Sequence, residues 1–218
     1  VGFVVDPDAD RLAIVCEDGS MFGEEYTLVA VADYVLAHTP GNTSSNLSST
    51  RALRDVTISR GGEYFPAAVG EKNVVEKMKQ HQCVIGGEGN GGVIYPALHC
   101  GRDALVGIAL FLSHLATSGL TCSHLRKQYP DYFMSKNKVQ LPEGTDADRL
   151  LDRFEQFYED QEVNRTDGVK IEMEEGWIHL RKSNTEPLIR LYTEAGSAQL
   201  AGQLAEEARE IINKLVKE

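Results

Sequence analysis

Val1-Gly2-Phe3-Val4-Val5-Asp6-Pro7-Asp8-Ala9-Asp10-Arg11-Leu12-Ala13-Ile14-Val15-Cys16 opens the chain with two β-branched runs, at 1–5 and 12–16, on either side of an acidic loop. The runs predict strands, the first of them buried. Three carboxylates at alternate positions, Asp6, Asp8 and Asp10, can converge on one hard cation such as Mg²⁺ or Ca²⁺. Pro7 limits how far the loop relaxes when those charges are unpaired. Arg11, adjacent, is placed to face a phosphate or another anion that shares the metal. A solvated acidic turn is the plainer reading, and it would suffice for a single D-x-D. Asp6, Asp8, Asp10 and Glu17 also fall at ligand positions of a calcium EF-hand loop, yet Arg11 replaces its glycine, Ile14 replaces a polar position, and strands flank it. A strand ending in D-x-D further resembles an aspartyl-phosphate phosphatase, which would have Thr or Val where Asp10 stands.

Outward from this hairpin, strands and helices alternate. Apolar positions predict a helix over 26–36, a break at 41–46, and after it a short strand and a helix near 49–58. A strand at 64–69, a helix at 71–80, strands at 83–86 and 93–95, and a nearly all-apolar helix over 103–115 follow. The alternation predicts an α/β unit with helices on both faces of a mixed sheet. After a connector at 117–130 the pattern changes. A helix over 146–160, capped by Thr145 or Asp146, precedes strands at 168–173, 177–181 and 188–194 and a helix from 197, which together make a small α+β domain. The fold expected is therefore the end of one α/β domain (1–40), a complete α/β domain (41–118), and a connector with a C-terminal α+β domain (119–218).

At 218 residues, with 42% hydrophobic and 25% charged, the chain can bury a core. The balance of 22 Lys+Arg against 33 Asp+Glu, a net charge of −11, argues against nucleic acid or an anionic membrane as partner. The longest apolar run, 104–112, contains a glycine and is well short of the ~18 residues that span a bilayer. Cys16, Cys83, Cys100 and Cys122 form no C-x-x-C pair, so neither a zinc site nor a disulfide framework is signalled, and a cytoplasmic, reducing setting is expected. The first residue is not Met and lies in an apolar run, which predicts a piece of a longer protein whose N-terminal domain is a missing partner.

Two further loops carry chemistry. Gly86-Gly87-Glu88-Gly89-Asn90-Gly91-Gly92 lets backbone approach a ligand closely, and Glu88 and Asn90 suit sugar hydroxyls, although a flexible turn explains a glycine run equally well. Upstream, Gly70-Glu71-Lys72 starts a helix and brings Lys72 into consideration for the same cleft, or else as a solvated helix start. Arg181-Lys182-Ser183-Asn184-Thr185-Glu186-Pro187, with Arg190 beyond it, joins two strands with enough hydroxyls, N–H groups and guanidiniums to surround a phosphate.

Taken together, the strand followed by DPDADR, the GEGNGG loop and RKSNTEPLIR resemble the α-D-phosphohexomutase superfamily in order and rough spacing along the whole chain. Asn90 stands where that family commonly has Ser, which bears on sugar specificity. The resemblance implies a four-domain enzyme that interconverts hexose 6-phosphate and hexose 1-phosphate through a phosphoserine and a bisphosphate intermediate. It implies Asp6, Asp8 and Asp10 as Mg²⁺ ligands and Arg11 as the catalytic contact to the transferring phosphoryl group. Glu88, Asn90 and, more weakly, Lys72 would read the sugar, while Arg181, Ser183, Asn184, Thr185 and Arg190 would grip the phosphate that is not reacting. The family's serine loop, approximately Thr-Ala-Ser-His-Asn-Pro, does not occur here, so the resemblance implies the C-terminal part of the enzyme, inactive alone. Glucosamine 6-phosphate leads as substrate, with mannose and glucose phosphates close behind. A non-catalytic module that binds a sugar phosphate is the alternative from another class.

Overall fold

Strands β1 (Gly2–Val5) and β2 (Leu12–Val15) pair antiparallel, Gly2 opposite Val15 and Val5 opposite Leu12, so that the acidic loop closes one end of a hairpin. A computed structural model of the chain describes residues 1–183 and 186–217. It divides into two compact units, Val1–Pro130 and Asp131–Glu218. The burial expected of 1–5 is not found: β1 pairs only with β2, and Val1, Val4 and Val5 are exposed. In β2, by contrast, Leu12 and Ile14 are buried.

Helix α1 (Glu24–His38) starts at Gly23, whose φ of 100° favours glycine, and places Glu24 and Glu25 where the helix dipole welcomes negative charge. Strand β3 (Asn42–Asn46), α2 (Ala52–Ser59), β4 (Tyr64–Ala67), α3 (Glu71–Gln80), β5 (Cys83–Glu88), β6 (Gly92–Ile94), α4 (Ala104–Ser118) and the short α5 (Cys122–Arg126) complete the first unit. The sheet order is β4-β3-β5-β6, with β3 parallel to β4 and β5, and β6 antiparallel to β5. Successive residues of a strand face opposite sides of the sheet. A Cβ on Gly86 would meet Met78 of α3, whereas one on Gly87 would meet Leu28 of α1, so helices cover both faces.

The break read at 41–46 is in fact the centre of this sheet. Strand β3 is Asn-Thr-Ser-Ser-Asn, a composition that reads as loop, yet Thr43, Ser44 and Ser45 are fully buried. Two of the three side chains find partners inside: Thr43 Oγ1 lies 2.7 Å from Thr57 Oγ1, and Ser45 Oγ lies 2.9 Å from Tyr64 Oη, whereas Ser44 Oγ is buried without a hydrogen bond. Parallel pairing on both edges satisfies the backbone, and paired hydroxyls remove most of the cost of burial.

In the second unit, β7 (Phe133–Gln140), α6 (Ala147–Glu155), a 3₁₀ turn (Gln156–Tyr158), β8 (Glu162–Asn164), β9 (Val169–Glu172), β10 (Gly176–Lys182), β11 (Leu188–Ala195) and α7 (Ala198–Lys217) form an antiparallel sheet, ordered β7-β11-β10-β9-β8. Phe154, Ile178, Leu180, Ile189, Leu191 and Ile212 lie in its core. Asp146 caps α6 as the sequence suggests, its carboxylate accepting the N–H groups of Asp148 and Arg149. The sequence did not signal β7 and β8, and Phe157, in the 3₁₀ turn after α6, is exposed. Among the described residues no helix is long and apolar enough to cross a membrane.

On β10, His179 is 1% exposed, and burial pushes its imidazole down from 6.5 to about 4, although the carbonyl of Asp167, 2.7 Å from Nε2, acts the other way. The unfolded chain then binds a proton that the folded chain refuses, so unfolding free energy falls as pH drops from 6.5 towards about 4 and levels off below that. Urea titrations across this range check it: His179→Gln is expected to remove that part of the slope.

Candidate functional site

The acidic loop takes its shape from Asp6. Its Oδ1 accepts the N–H groups of Asp10 at 3.1 Å and Arg11 at 3.2 Å, while its carbonyl accepts Ala9 N–H at 3.0 Å. These bonds curl the chain through Ala9, a non-glycine residue at φ 55°. One ligand atom from each of Asp6, Asp8 and Asp10 thereby comes within 4.8 Å of the others. Desolvation acts to raise the Asp6 pKa, but the N–H donors of Arg11 and Asp10 and the Arg11 guanidinium outweigh it and hold the carboxyl below its ordinary value. Arg11 Nε lies 3.4 Å from Asp6 Oδ2 and 3.7 Å from Asp10 Oδ1, and its side chain is 48% exposed. Asp10 Oδ1 is buried and accepts no hydrogen bond. A converging set of hard oxygen donors with one buried oxygen unclaimed is what a Mg²⁺-type cation requires.

The glycine loop is fastened to this hairpin. Leu12 N–H donates to the Gly91 carbonyl at 3.1 Å, and Gly91, at φ 84°, has no room for a Cβ against the Leu12 backbone. Gly89 N–H donates to Ser49 Oγ at 2.9 Å, and a Cβ on Gly89 would strike the Glu25 carboxylate. Asn90 Oδ1 accepts Gly92 N–H at 3.1 Å. Asn90, Asp6, Arg11 and Glu24 all line one cleft of about 210 Å³, so the structure brings the acidic loop and part of the glycine loop together.

Glu88 is 5% exposed and held on both oxygens: Oε1 accepts from Asn46 Nδ2 at 2.9 Å and Gly70 N–H at 3.2 Å, and Oε2 accepts from Arg102 Nη1 at 2.7 Å. Arg102 was not singled out in the sequence. Its Nη2 lies 2.5 Å from Asp10 Oδ2 and its Nε 3.1 Å from Glu71 Oε2, so it touches the acidic loop, the glycine loop and the start of α3 at once. The signal available was indirect, since a carboxylate in an otherwise apolar strand demands a partner. Lys72, in contrast, is 87% exposed, with Nζ 3.9 Å from Glu76.

In the second unit, Arg181 of β10 stands directly opposite Arg190 of β11, which stands opposite Lys138 of β7. Like charges in register repel, and an anion over them relieves that repulsion. Arg181 Nε is buried without a hydrogen-bond partner, 3.7 Å from Asp167 Oδ2. Ser183 N–H donates to the Leu188 carbonyl at 2.9 Å and holds the strand end. Asn184 and Thr185 lie outside the described residues.

An α/β unit with an acidic strand–loop beside a glycine loop, followed by an α+β unit with opposed guanidiniums, defines a class of proteins built to handle anionic ligands. Family models narrow it: the phosphoglucomutase/phosphomannomutase α/β/α domain III matches residues 23–132, and the C-terminal domain of the same family matches 138–211. The chain belongs to the phosphoglucomutase/phosphomannomutase family. Relatives named probable phosphoglucosamine mutase, from Methanopyrus kandleri, and phosphoglucomutase/phosphomannomutase, from Thermococcus kodakarensis, are 32% and 31% identical over 100% and 99% of this chain. The chain spans about half of their length, 49% and 48%. A phosphoglucomutase/phosphomannomutase family protein of Burkholderia thailandensis superposes with a TM-score of 0.80 at 25% identity, over 98% of this chain and 46% of that one. The N-acetylphosphoglucosamine mutase of Aspergillus fumigatus, solved with GlcNAc-6P and magnesium, shares the fold at a TM-score of 0.67 and 16% identity, over 98% of this chain and 48% of that one.

Because the Leu12 backbone leaves no space beside Gly91, Gly91→Val is expected to cost roughly 2 kcal/mol or more in stability through strain and overpacking. Chemical denaturation checks it, with Gly144→Val as the comparison, since Gly144 has a similar φ of 82° and open space around its Cβ direction.

Proposed function

We propose that this chain carries the cation seat, the sugar-reading loop and the distal phosphate clamp of a phosphohexomutase that interconverts hexose 6-phosphate and hexose 1-phosphate. The observation that carries the reading is the cleft shared by Asp6, Arg11 and Asn90, beside three carboxylates whose oxygens lie within 4.8 Å of one another. Phosphoryl transfer needs charge neutralisation and positioning more than covalent help. In this reading Asp6, Asp8 and Asp10 hold Mg²⁺, the ion present in the Aspergillus fumigatus enzyme. Bound there, the ion supplies charge stabilisation to the transferring group. Arg11, exposed at the cleft, is the catalytic contact that orients the phosphoryl oxygens.

Glu88 and Asn90 read sugar hydroxyls. Glu88, held by three donors, offers the remaining acceptor capacity of a carboxylate already fixed in place. Lys72 is retained as a more distant candidate, since a flexible, exposed ammonium can reach a bound ligand. Arg181 and Arg190 supply paired charge for the phosphate that does not react, with Ser183, Asn184 and Thr185 as further donors. The phosphoserine donor and the rest of the substrate enclosure are assigned to the part of the relatives that this chain does not span. A cytoplasmic setting accords with four free cysteines.

Glucosamine phosphate is the preferred substrate, on the names of the Methanopyrus and several further relatives. The Thermococcus phosphoglucomutase/phosphomannomutase, nearly as similar, favours glucose and mannose phosphates as the second reading. Specificity constants of the complete enzyme for the three sugars decide between them. The 218-residue chain alone is expected to bind hexose phosphate without mutase turnover, even with a bisphosphate activator. Arg181→Gln and Ser183→Ala are each expected to weaken that binding about tenfold or more, since hydrogen bonds to charged groups contribute ~1.5–3 kcal/mol. Calorimetry that finds no binding, or binding indifferent to both changes, removes the clamp from the proposal.

A further inference from the structure

Arg102 is the one described side chain seen to touch both loops of the first unit's site, and the way it does so is asymmetric. On Asp10 it takes Oδ2, at 2.5 Å, and leaves Oδ1 buried and without a hydrogen bond. On Glu88 it takes Oε2, at 2.7 Å, and leaves Oε1 to Asn46 and Gly70. Glu71 flanks the guanidinium from a third side, its Oε2 forming an ion pair with Nε at 3.1 Å, while its Oε1 accepts the Arg102 backbone N–H at 3.1 Å. The arginine side chain is only 15% exposed, so its fork has little freedom to rotate and little water to replace any of these partners.

We infer that Arg102 is a positioning residue that joins the cation seat and the glycine loop into a single cooperative unit. The inference rests on the proposed cation reading of Asp6, Asp8 and Asp10. A cation drawn to Asp10 Oδ1 fixes the carboxylate plane, and that plane sets where Oδ2 can hold the guanidinium. The guanidinium in turn fixes Glu88, the last residue of β5, at the root of the glycine loop. Cation binding and order in residues 86–92 are thereby linked, and by reciprocity a ligand that orders the loop tightens the cation. The planar fork is essential. Lysine keeps the charge, but its single ammonium cannot span Asp10, Glu71 and Glu88 in the same geometry.

The test uses the 218-residue chain and two readouts that do not depend on turnover. Mn²⁺ binding is followed by electron paramagnetic resonance with Mg²⁺ as competitor, and backbone hydrogen exchange of residues 86–92 is followed with and without saturating Mg²⁺. In the wild type, Mg²⁺ is expected to slow exchange in that segment about tenfold, within the usual range of coupling between sites. Arg102→Lys is expected still to bind the metal but to reduce the slowing below about twofold. Glu71→Gln, which loosens the guanidinium while leaving the Asp10 and Glu88 contacts available, is expected to give an intermediate response and serves if Arg102→Lys does not fold. A wild-type response in whichever variants fold, or metal binding to the wild type with no change in the loop, overturns the coupling. Absence of any Mn²⁺ binding to the wild type overturns the cation seat itself, and the binding measurement separates that failure from the other.

Discussion

A carboxylate buried at the end of a strand must be matched, or it does not stay ionised. Glu88 meets this condition with one guanidinium and two neutral donors, and each donor arrives from a different part of the first unit: Asn46 from the end of β3, Gly70 from the residue before α3, and Arg102 from the loop before α4. Satisfying one buried charge therefore fixes three chain segments relative to β5. Removing one partner of such a network leaves an uncompensated charge in a low-dielectric setting, an effect on the order of 3–5 kcal/mol. The ends of the parallel strands of this sheet are where the loops with chemical potential collect, as expected of α/β sheets generally.

The polar central strand follows from the same arrangement. Asn46 does not serve only as a strand residue: its Oδ1 accepts Ser48 N–H at 2.9 Å and the Ser49 hydroxyl at 3.2 Å, while its Nδ2 reaches Glu88. Ser49 Oγ in turn accepts the Gly89 N–H. The run 46–49 is thus a scaffold for the glycine loop, and an apolar strand ending there would leave Glu88 with one donor fewer. A site organised by polar groups requires polar residues in positions that packing alone would give to Val or Ile.

This explains what the sequence did and did not disclose. The hairpin around DPDADR, the alternation that follows and the amphipathic last helix were legible, because apolar periodicity and chemically rare loops are local signals. Strand β3 was hidden by its own composition, whose burial depends on hydroxyl partners as distant in sequence as Thr57 and Tyr64. Strand β7 was hidden for a different reason. Half of Phe133–Gln140 is exposed and only Val139 is buried, and the sequence FMSKNKVQ carries no alternating apolar signal. Within the candidate site, the residues singled out from the sequence were those carried by recognisable loops. Arg102 was not, since a lone arginine between Gly101 and Asp103 shows its meaning only when three carboxylates from elsewhere are brought to it.

The proposed phosphate-ester ligand meets a chain of net charge −11, and local charge decides what it encounters. Surface charge is screened over about 8 Å at physiological ionic strength, so only nearby groups decide the sign that a ligand meets. On the sheet of the second unit, Lys138, Arg190 and Arg181 are neighbours across adjacent strands, which lie roughly 5 Å apart, and they form a positive strip whatever the total charge. The acidic loop is the opposite case. Within the loop itself Asp6, Asp8 and Asp10 contribute −3 and Arg11 contributes +1, and of the groups beside it the cation Arg102 is shared with Glu71 and Glu88, so the loop carries net negative charge, which repels a phosphate dianion. In the proposed reading, a divalent cation seated there offsets two of those charges and makes the loop permissive to phosphate. The two elements proposed to face phosphate therefore differ in kind: one is positive by sequence, and the other is permissive only when loaded.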